Sequence, residues 1–123
     1  MKVLVIDDST ATRFMLGKMM RELGFTVTEA ADGKQAIERL KEHPDTQVAL
    51  VDWNMPEMNG LDFVKATRSN KAYDSLKMMM VTTEIEMTNV VKALDAGANE
   101  YVMKPFTKED ILEKLQLMGV VQR

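Results

Sequence analysis

Five short runs of apolar or β-branched residues punctuate the chain: "KVLVID" from residue 2, "TVTEA" from 26, "VALVD" from 48, "KMMMVT" from 77 and "EYVMK" from 100. Between them lie segments of roughly 10 to 16 residues whose apolar positions recur at helical spacing. The pattern predicts a β-α unit repeated five times. Runs such as "VLVI" and "VALV" are continuous rather than alternating, as strands covered on both faces by helices are, so the predicted sheet is parallel. Ser9 and Thr10 are placed to cap the first helix, Asp32 the second, and Thr107 with Asp110 opens the last; Gly24, Gly97 and Gly119 stand where helices should stop. Phe14, Met15, Met19 and Leu23, then Ala36, Ile37 and Leu40, read as core-facing stripes. The twelve methionines read mostly as adaptable core filler, although "MMM" in the fourth run replaces the β-branched residues a strand normally prefers.

Composition narrows the function. At 123 residues with 46% hydrophobic, the chain suits one compact domain, residues 1–123, with a core of its own. There is no linker, low-complexity tract or repeat beyond the architectural one. The absence of cysteine excludes disulfides, thiolate metal sites and a thiol nucleophile. No apolar run approaches the roughly 20 residues that span a bilayer, and "MKVLVIDD" turns acidic too early for a secretion signal. The expectation is a cytoplasmic protein with no membrane partner. A net charge of −3 with scattered basic residues lacks the one-sided Lys and Arg concentration of a nucleic-acid surface. His43, in "KEHPD", reads as a surface residue at a helix end with no catalytic role.

The ends of the predicted strands hold the candidate chemistry. In an open parallel α/β sheet, ligands bind beyond the carboxyl ends of the strands, where the strand order reverses. Asp7 and Asp8 close the first strand and Asp52 the third, so three carboxylates are expected in one crevice. Two unit charges about 4 Å apart repel by about 4 kcal/mol at an effective dielectric near 20. A shared cation resolves that cost. With oxygen ligands and no His or Cys nearby, Mg²⁺ is the natural candidate. The fourth strand adds the hydroxyls of Thr82 and Thr83, the fifth the ammonium of Lys104, and Trp53 should lie at the rim. A metal, a fixed cation and a hydroxyl facing a carboxylate equip a site for phosphoryl transfer, in which an aspartate can itself be the nucleophile.

The acidic pair in "IDDS", the aspartate of "VDWNMPEMNG", the hydroxyl of "VTTE", the aromatic of "NEYV" and the lysine of "KPF" follow in order at the right strand ends. Over nearly the whole chain they resemble response-regulator receiver domains, and among these the single-domain chemotaxis regulators. The resemblance implies a flavodoxin-like, doubly wound (βα)5 fold with strand order 2-1-3-4-5. It implies that Asp52 is the phosphoacceptor, that Asp8, Asp52 and the backbone carbonyl of Asn54 ligate Mg²⁺ with Asp7 reaching it through water, and that Lys104 and Thr82 hold phosphoryl oxygens. It also implies a cis peptide before Pro105, which an X-Pro bond allows at only about 0.5–1 kcal/mol. Asn54 and Glu84 match positions that tune autodephosphorylation, in the manner of fast-cycling regulators. The implied activity is a signalling switch rather than a turnover enzyme: a histidine kinase donates the phosphoryl group, Thr82 moves toward it, Tyr101 turns inward, and a protein target reads the fourth helix, fifth strand and fifth helix. On that surface Val90, Leu94, Tyr101 and Lys114 are expected, on a monomer whose fourth-helix face can pair on activation. Glu86 and Met87 stand where the nearest chemotaxis relatives carry lysines, so a flagellar-switch target is not implied.

Other readings stay open on the residues. "DSTATR" could serve as a phosphate loop in a flavin or nucleotide binder, although Asp7 and Asp8 would repel a phosphate without a metal. Phosphatases of the haloacid-dehalogenase type also use an aspartate nucleophile, but their paired aspartates lie two apart rather than adjacent, and this chain lacks a cap domain. A receiver excised from a larger regulator, such as a transcription factor, or a receiver-like interaction module that is never phosphorylated, would carry much the same pattern.

Overall fold

The computed structural model describes residues 1–53, 55–56, 58–83 and 87–121, with Met87 as backbone only. Five strands, β1 (Lys2–Ile6), β2 (Thr26–Ala30), β3 (Thr46–Asp52), β4 (Lys77–Thr82) and β5 (Glu100–Met103), alternate with helices α1 (Thr10–Glu22), α2 (Gly33–Glu42), α3 (Gly60–Arg68), α4 (Met87–Ala96) and α5 (Lys108–Leu117). A 3-10 turn at Lys71–Tyr73 precedes β4. The strands form one sheet in the order β2-β1-β3-β4-β5, and every adjacent pair is parallel. This is the topology implied by the resemblance. The order reverses between β1 and β3, which places a crevice at their carboxyl ends.

The continuous apolar runs follow from a sheet buried on both faces. Along β1, β3 and β4 successive side chains alternate between two cores. Leu4, Ile6, Ala49, Val51, Met78 and Met80 pack with Ala36, Leu40, Phe63, Val64 and Ala93 of α2, α3 and α4. Val3, Val5, Val48, Leu50, Met79 and Val81 pack with Leu16, Met20, Ile111 and Leu115 of α1 and α5. The "MMM" run is therefore core on both sides: Met78, Met79 and Met80 are all fully buried, each contributing roughly 1.5–3 kcal/mol by leaving water.

Helix ends are set locally. Ser9, Asp32 and Thr107 cap α1, α2 and α5, and Thr107 forms a reciprocal capping box with Asp110. Gly24, Gly97 and Gly119 all take positive φ, as expected just past a helix.

One predicted stripe is corrected. Phe14 and Met15 are 69% and 42% exposed, whereas Leu16 and Met20 are buried. At 3.6 residues per turn, Phe14 and Met15 lie about 200° and 100° around the helix from Leu16, so they cannot share its face. Leu23 does pack against that core. In α2, Ala36 and Leu40 are buried and Ile37 packs beside them, as read from the sequence.

Candidate functional site

Asp7 is fixed at the mouth of β1 by nearly every polar atom it has. Its N–H donates to the Ala30 carbonyl at 3.1 Å, extending the sheet one residue toward β2. Its Oδ1 accepts from the Ser9 N–H at 2.9 Å, the same serine that caps α1. The residue is 1% exposed. Its Oδ2 is buried with no hydrogen-bond partner among the described residues; the Lys104 ammonium stands 3.9 Å away, within coulombic reach only. Asp52, the last residue of β3, is 6% exposed and has Lys104 Nζ 3.5 Å from Oδ1. Asp8 is exposed beside them. Asp7, Asp8 and Asp52 bring one carboxylate oxygen each to within 4.8 Å of one another.

The opposite wall comes from β4 and β5. Register pairs Asp52 with Val81, so Thr82 lies one residue further toward the crevice. It is 1% exposed, and its hydroxyl donates to the Thr83 carbonyl at 3.3 Å. Thr82 rather than Thr83 is thus the strand terminus. The Lys104 N–H donates to the Thr82 carbonyl at 2.7 Å, which locks the end of β5 alongside β4, and the Lys104–Pro105 peptide is cis. Behind Asp52, α3 begins in contact with β3. A Cβ on Gly60 would stand 2.7 Å from the Asp52 carbonyl oxygen and 2.9 Å from Met80 Cε. Only glycine allows that approach.

Burial dominates the electrostatics. It pushes the Asp52 carboxyl up to about 6 from its ordinary 3.8, with the Asp7 charge adding to the rise and Lys104 opposing it. Burial also raises Asp7, against the Ser9 N–H and Lys104. One lysine does not compensate three carboxylates. An orphaned, buried carboxylate oxygen facing two further carboxylates is an expensive arrangement for a pocket whose cation is a single lysine, and an all-oxygen donor set suits a hard divalent ion such as Mg²⁺. The residues present fit that ion.

The other sequence-predicted positions divide. Tyr101 is half-buried and packs against the core of α2, α3 and α4. Lys114 Nζ sits 4.7 Å from its ring centroid and 3.4 Å from Glu100 Oε1, and the same Glu100 oxygen accepts the Tyr101 N–H at 3.1 Å. Leu94 is 37% exposed, as expected of an outer surface. Val90 is not on that surface: it is 3% exposed, turned into the fold, and Val91, 60% exposed, is the apolar side chain α4 presents instead. Trp53 packs against the core at the edge of the site. Asn54, Glu84 and Glu86 lie outside the described residues, as does the side chain of Met87. Sequence reasoning passed over Arg13, whose Nη1 donates to the Asp7 carbonyl at 2.6 Å; its one signal was an arginine a turn and a half after the acidic pair.

A doubly wound parallel sheet with three carboxylates and a lysine at its topological switch point defines an α/β protein built around an acidic crevice. Within that class, residues 3–116 match the family model of the response regulator receiver domain, and the chain belongs to that family. It is 44% identical over 119 residues to the chemotaxis protein CheY1 of Helicobacter pylori, covering 96% of both chains. It is 44% identical over 117 residues to a CheY homolog of Campylobacter jejuni, covering 94% of this chain and 90% of that one. Among solved structures, the chemotaxis protein CheY4 of Vibrio cholerae superposes with a TM-score of 0.87 at 35% identity, over 95% of this chain and 97% of the other. The receiver domain of a Pseudomonas aeruginosa sensor histidine kinase, 25% identical with a TM-score of 0.85 over 96% and 97% of the two chains, carries a magnesium ion coordinated in its active site cleft. No helix among the described residues is long and apolar enough to cross a membrane.

Proposed function

We propose that this chain is a phosphorylation-driven signalling switch of the chemotaxis type, in which Asp52 accepts a phosphoryl group from the phosphohistidine of a histidine kinase. The observation that carries the reading is the buried Asp52 carboxylate, set within 3.5 Å of the Lys104 ammonium and beside the unsatisfied oxygen of Asp7. The P–N bond of the donor breaks as an Asp52 oxygen bonds to phosphorus, and the imidazole leaves with a proton. Hydrolysis later returns inorganic phosphate and the free carboxylate.

The nucleophile must be ionised. In the metal-free protein burial raises the Asp52 carboxyl to about 6, still low enough for it to be ionised at neutral pH, and a bound divalent cation would favour the ionised form further. Lys104 would hold one oxygen of the transferred group as a cation, and Thr82 another as a hydroxyl donor once its hydroxyl turns from the Thr83 carbonyl. Asp8, Asp52 and the Asn54 carbonyl would hold Mg²⁺, with Asp7 reaching it through water, and the ion would supply charge neutralisation to those oxygens. Asn54 and Glu84 take the positions that set the lifetime of the phosphoryl group, which we expect to be short.

The phosphoryl group adds about −1.5 to −2 charge and three strong acceptors. It draws Thr82 toward it and leaves room for Tyr101 to turn inward, a shift between packings that pre-exist. The output face then comprises Leu94, Tyr101 and Lys114, joined by Val91, and a protein target binds there. This receiver domain is expected to act in the cytoplasm as a monomer, without direct contact to nucleic acid or membrane, and the α4 face is available for pairing on activation.

The test is Trp53 fluorescence during addition of Mg²⁺ and then a beryllofluoride phosphoryl mimic, run in parallel on Asp52→Asn. A metal-dependent change followed by a second change that the variant loses supports the switch. Silence at both steps would leave a receiver-shaped interaction module.

A further inference from the structure

We propose that Arg13 is a positioning residue for the acidic crevice: its guanidinium holds the turn from β1 into α1 so that Asp7 and Asp8 present their carboxylates toward Asp52. Arg13 closes the first turn of α1, its N–H donating to the Ser9 carbonyl at 2.9 Å, and its side chain is 17% exposed. Nη1 donates to the Asp7 carbonyl at 2.6 Å, Nε to Glu29 Oε1 on β2 at 3.3 Å, and Nη2 to Thr10 Oγ1 at 3.5 Å. Glu29 is itself approached from the other side by Arg21 Nη2, 4.0 Å from its second oxygen. The fork of Arg13 is therefore aimed from β2, and it grips the chain where the last carbonyl of the first strand region gives way to the helix cap.

With that bond counted, the Asp7 N–H, carbonyl and Oδ1 are all engaged, and Oδ2 is the oxygen left over. The free oxygen is thereby fixed toward the crevice. Among the described residues, Arg13 spends its hydrogen bonds on a backbone carbonyl, a hydroxyl and Glu29, not on the carboxylates of Asp7 or Asp8. A cation placed there to neutralise the cluster would pair with those carboxylates. Arg13 orients them and leaves them free for another cation. A lysine at this position would keep the charge without the planar fork that engages a carbonyl and a carboxylate at once.

This inference rests on the reading of the crevice as a Mg²⁺ site, and the experiment separates the two. The full chain, Arg13→Lys and Arg13→Met are titrated with Mg²⁺ alone while Trp53 fluorescence is followed, and backbone amide resonances of Asp8 and Ser9 are recorded without metal. If Arg13 orients the ligands, both variants lose Mg²⁺ affinity by about 10-fold or more, the usual effect of removing a group that orients metal ligands, and the metal-free amides move in both. Glu29→Gln gives a smaller loss in the same direction. If Arg13 acts only through its charge, Arg13→Met binds Mg²⁺ more tightly than the wild type and Arg13→Lys binds it equally well; either result overturns the proposal. A wild-type chain that ignores Mg²⁺ overturns the metal reading instead, and unmoved amides in both variants then overturn the role of Arg13 as well. Circular dichroism of Arg13→Lys, the milder change, guards against reading lost folding as lost affinity.

Discussion

Replacing Asp52 by asparagine should stabilise the metal-free protein, and the gain should depend on pH. The Asp52 carboxyl, buried at the end of β3, is pushed from 3.8 to about 6, first by burial and then by the Asp7 charge, with the opposing pull of Lys104 already included. At 1.36 kcal/mol per pKa unit, ionising it in the folded protein costs about 3 kcal/mol more than in the unfolded chain. Between those two values the folded state binds more protons than the unfolded one, so the wild type loses stability as pH rises through that window. Asparagine is nearly the same shape and carries no charge. Urea unfolding in the presence of a chelator should therefore give similar stabilities for wild type and Asp52→Asn below about pH 4. The variant should become about 3 kcal/mol more stable above about pH 7. For a chain of this length that corresponds to a rise in Tm of roughly 10 °C. If the crevice takes Mg²⁺ as proposed, saturating Mg²⁺ should narrow the gap at neutral pH, because it would stabilise the folded wild type and not the unfolded chain. A stability difference that is flat with pH would refute the reasoning, and so would a variant less stable than wild type at neutral pH.

Gly60→Ala would drive a Cβ to 2.7 Å from the Asp52 carbonyl; we expect a loss of about 1–3 kcal/mol in urea unfolding, and a wild-type midpoint would show that α3 can retreat without cost. Thr107→Ala removes half of the capping box of α5 and should lower stability by about 1 kcal/mol at unchanged m-value; no change would mean that helix is held by its core contacts alone. Lys114→Met removes a cation 4.7 Å from the Tyr101 ring, worth about 0.5–1 kcal/mol at an exposed site and more when desolvated. The Tyr101 ring resonances should then shift, without any phosphoryl mimic, toward the positions beryllofluoride produces in the wild type, and resonances that stay put would show that Lys114 does not restrain the ring.

The sequence made the fold legible where one local rule sufficed and misled where two competed. "VLVI" and "VALV" could be read as buried strands because both faces of the sheet are covered, and the caps at Ser9, Asp32 and Thr107 because each needs only its own side chain and the next turn. Phe14 and Met15 failed because Met15, Met19 and Leu23 recur at helical spacing just as Leu16, Met20 and Leu23 do, and only the second stripe meets the sheet; an exposed aromatic looks the same as a buried one until the phase is known. Val90 failed in the opposite sense, one step of 100° from the exposed Val91. The site shows the same division. Asp7, Asp8, Asp52, Thr82 and Lys104 were visible because strand ends in a parallel sheet converge, a consequence of topology alone. Arg13 was not, because its partner is a main-chain carbonyl and its orientation is set by Glu29, sixteen residues away on an edge strand; neither leaves a mark in a motif. Groups proposed to do the chemistry must be particular residues at strand ends, whereas groups that hold them in place need only reach, so the first kind shows in the sequence pattern and the second only in the fold.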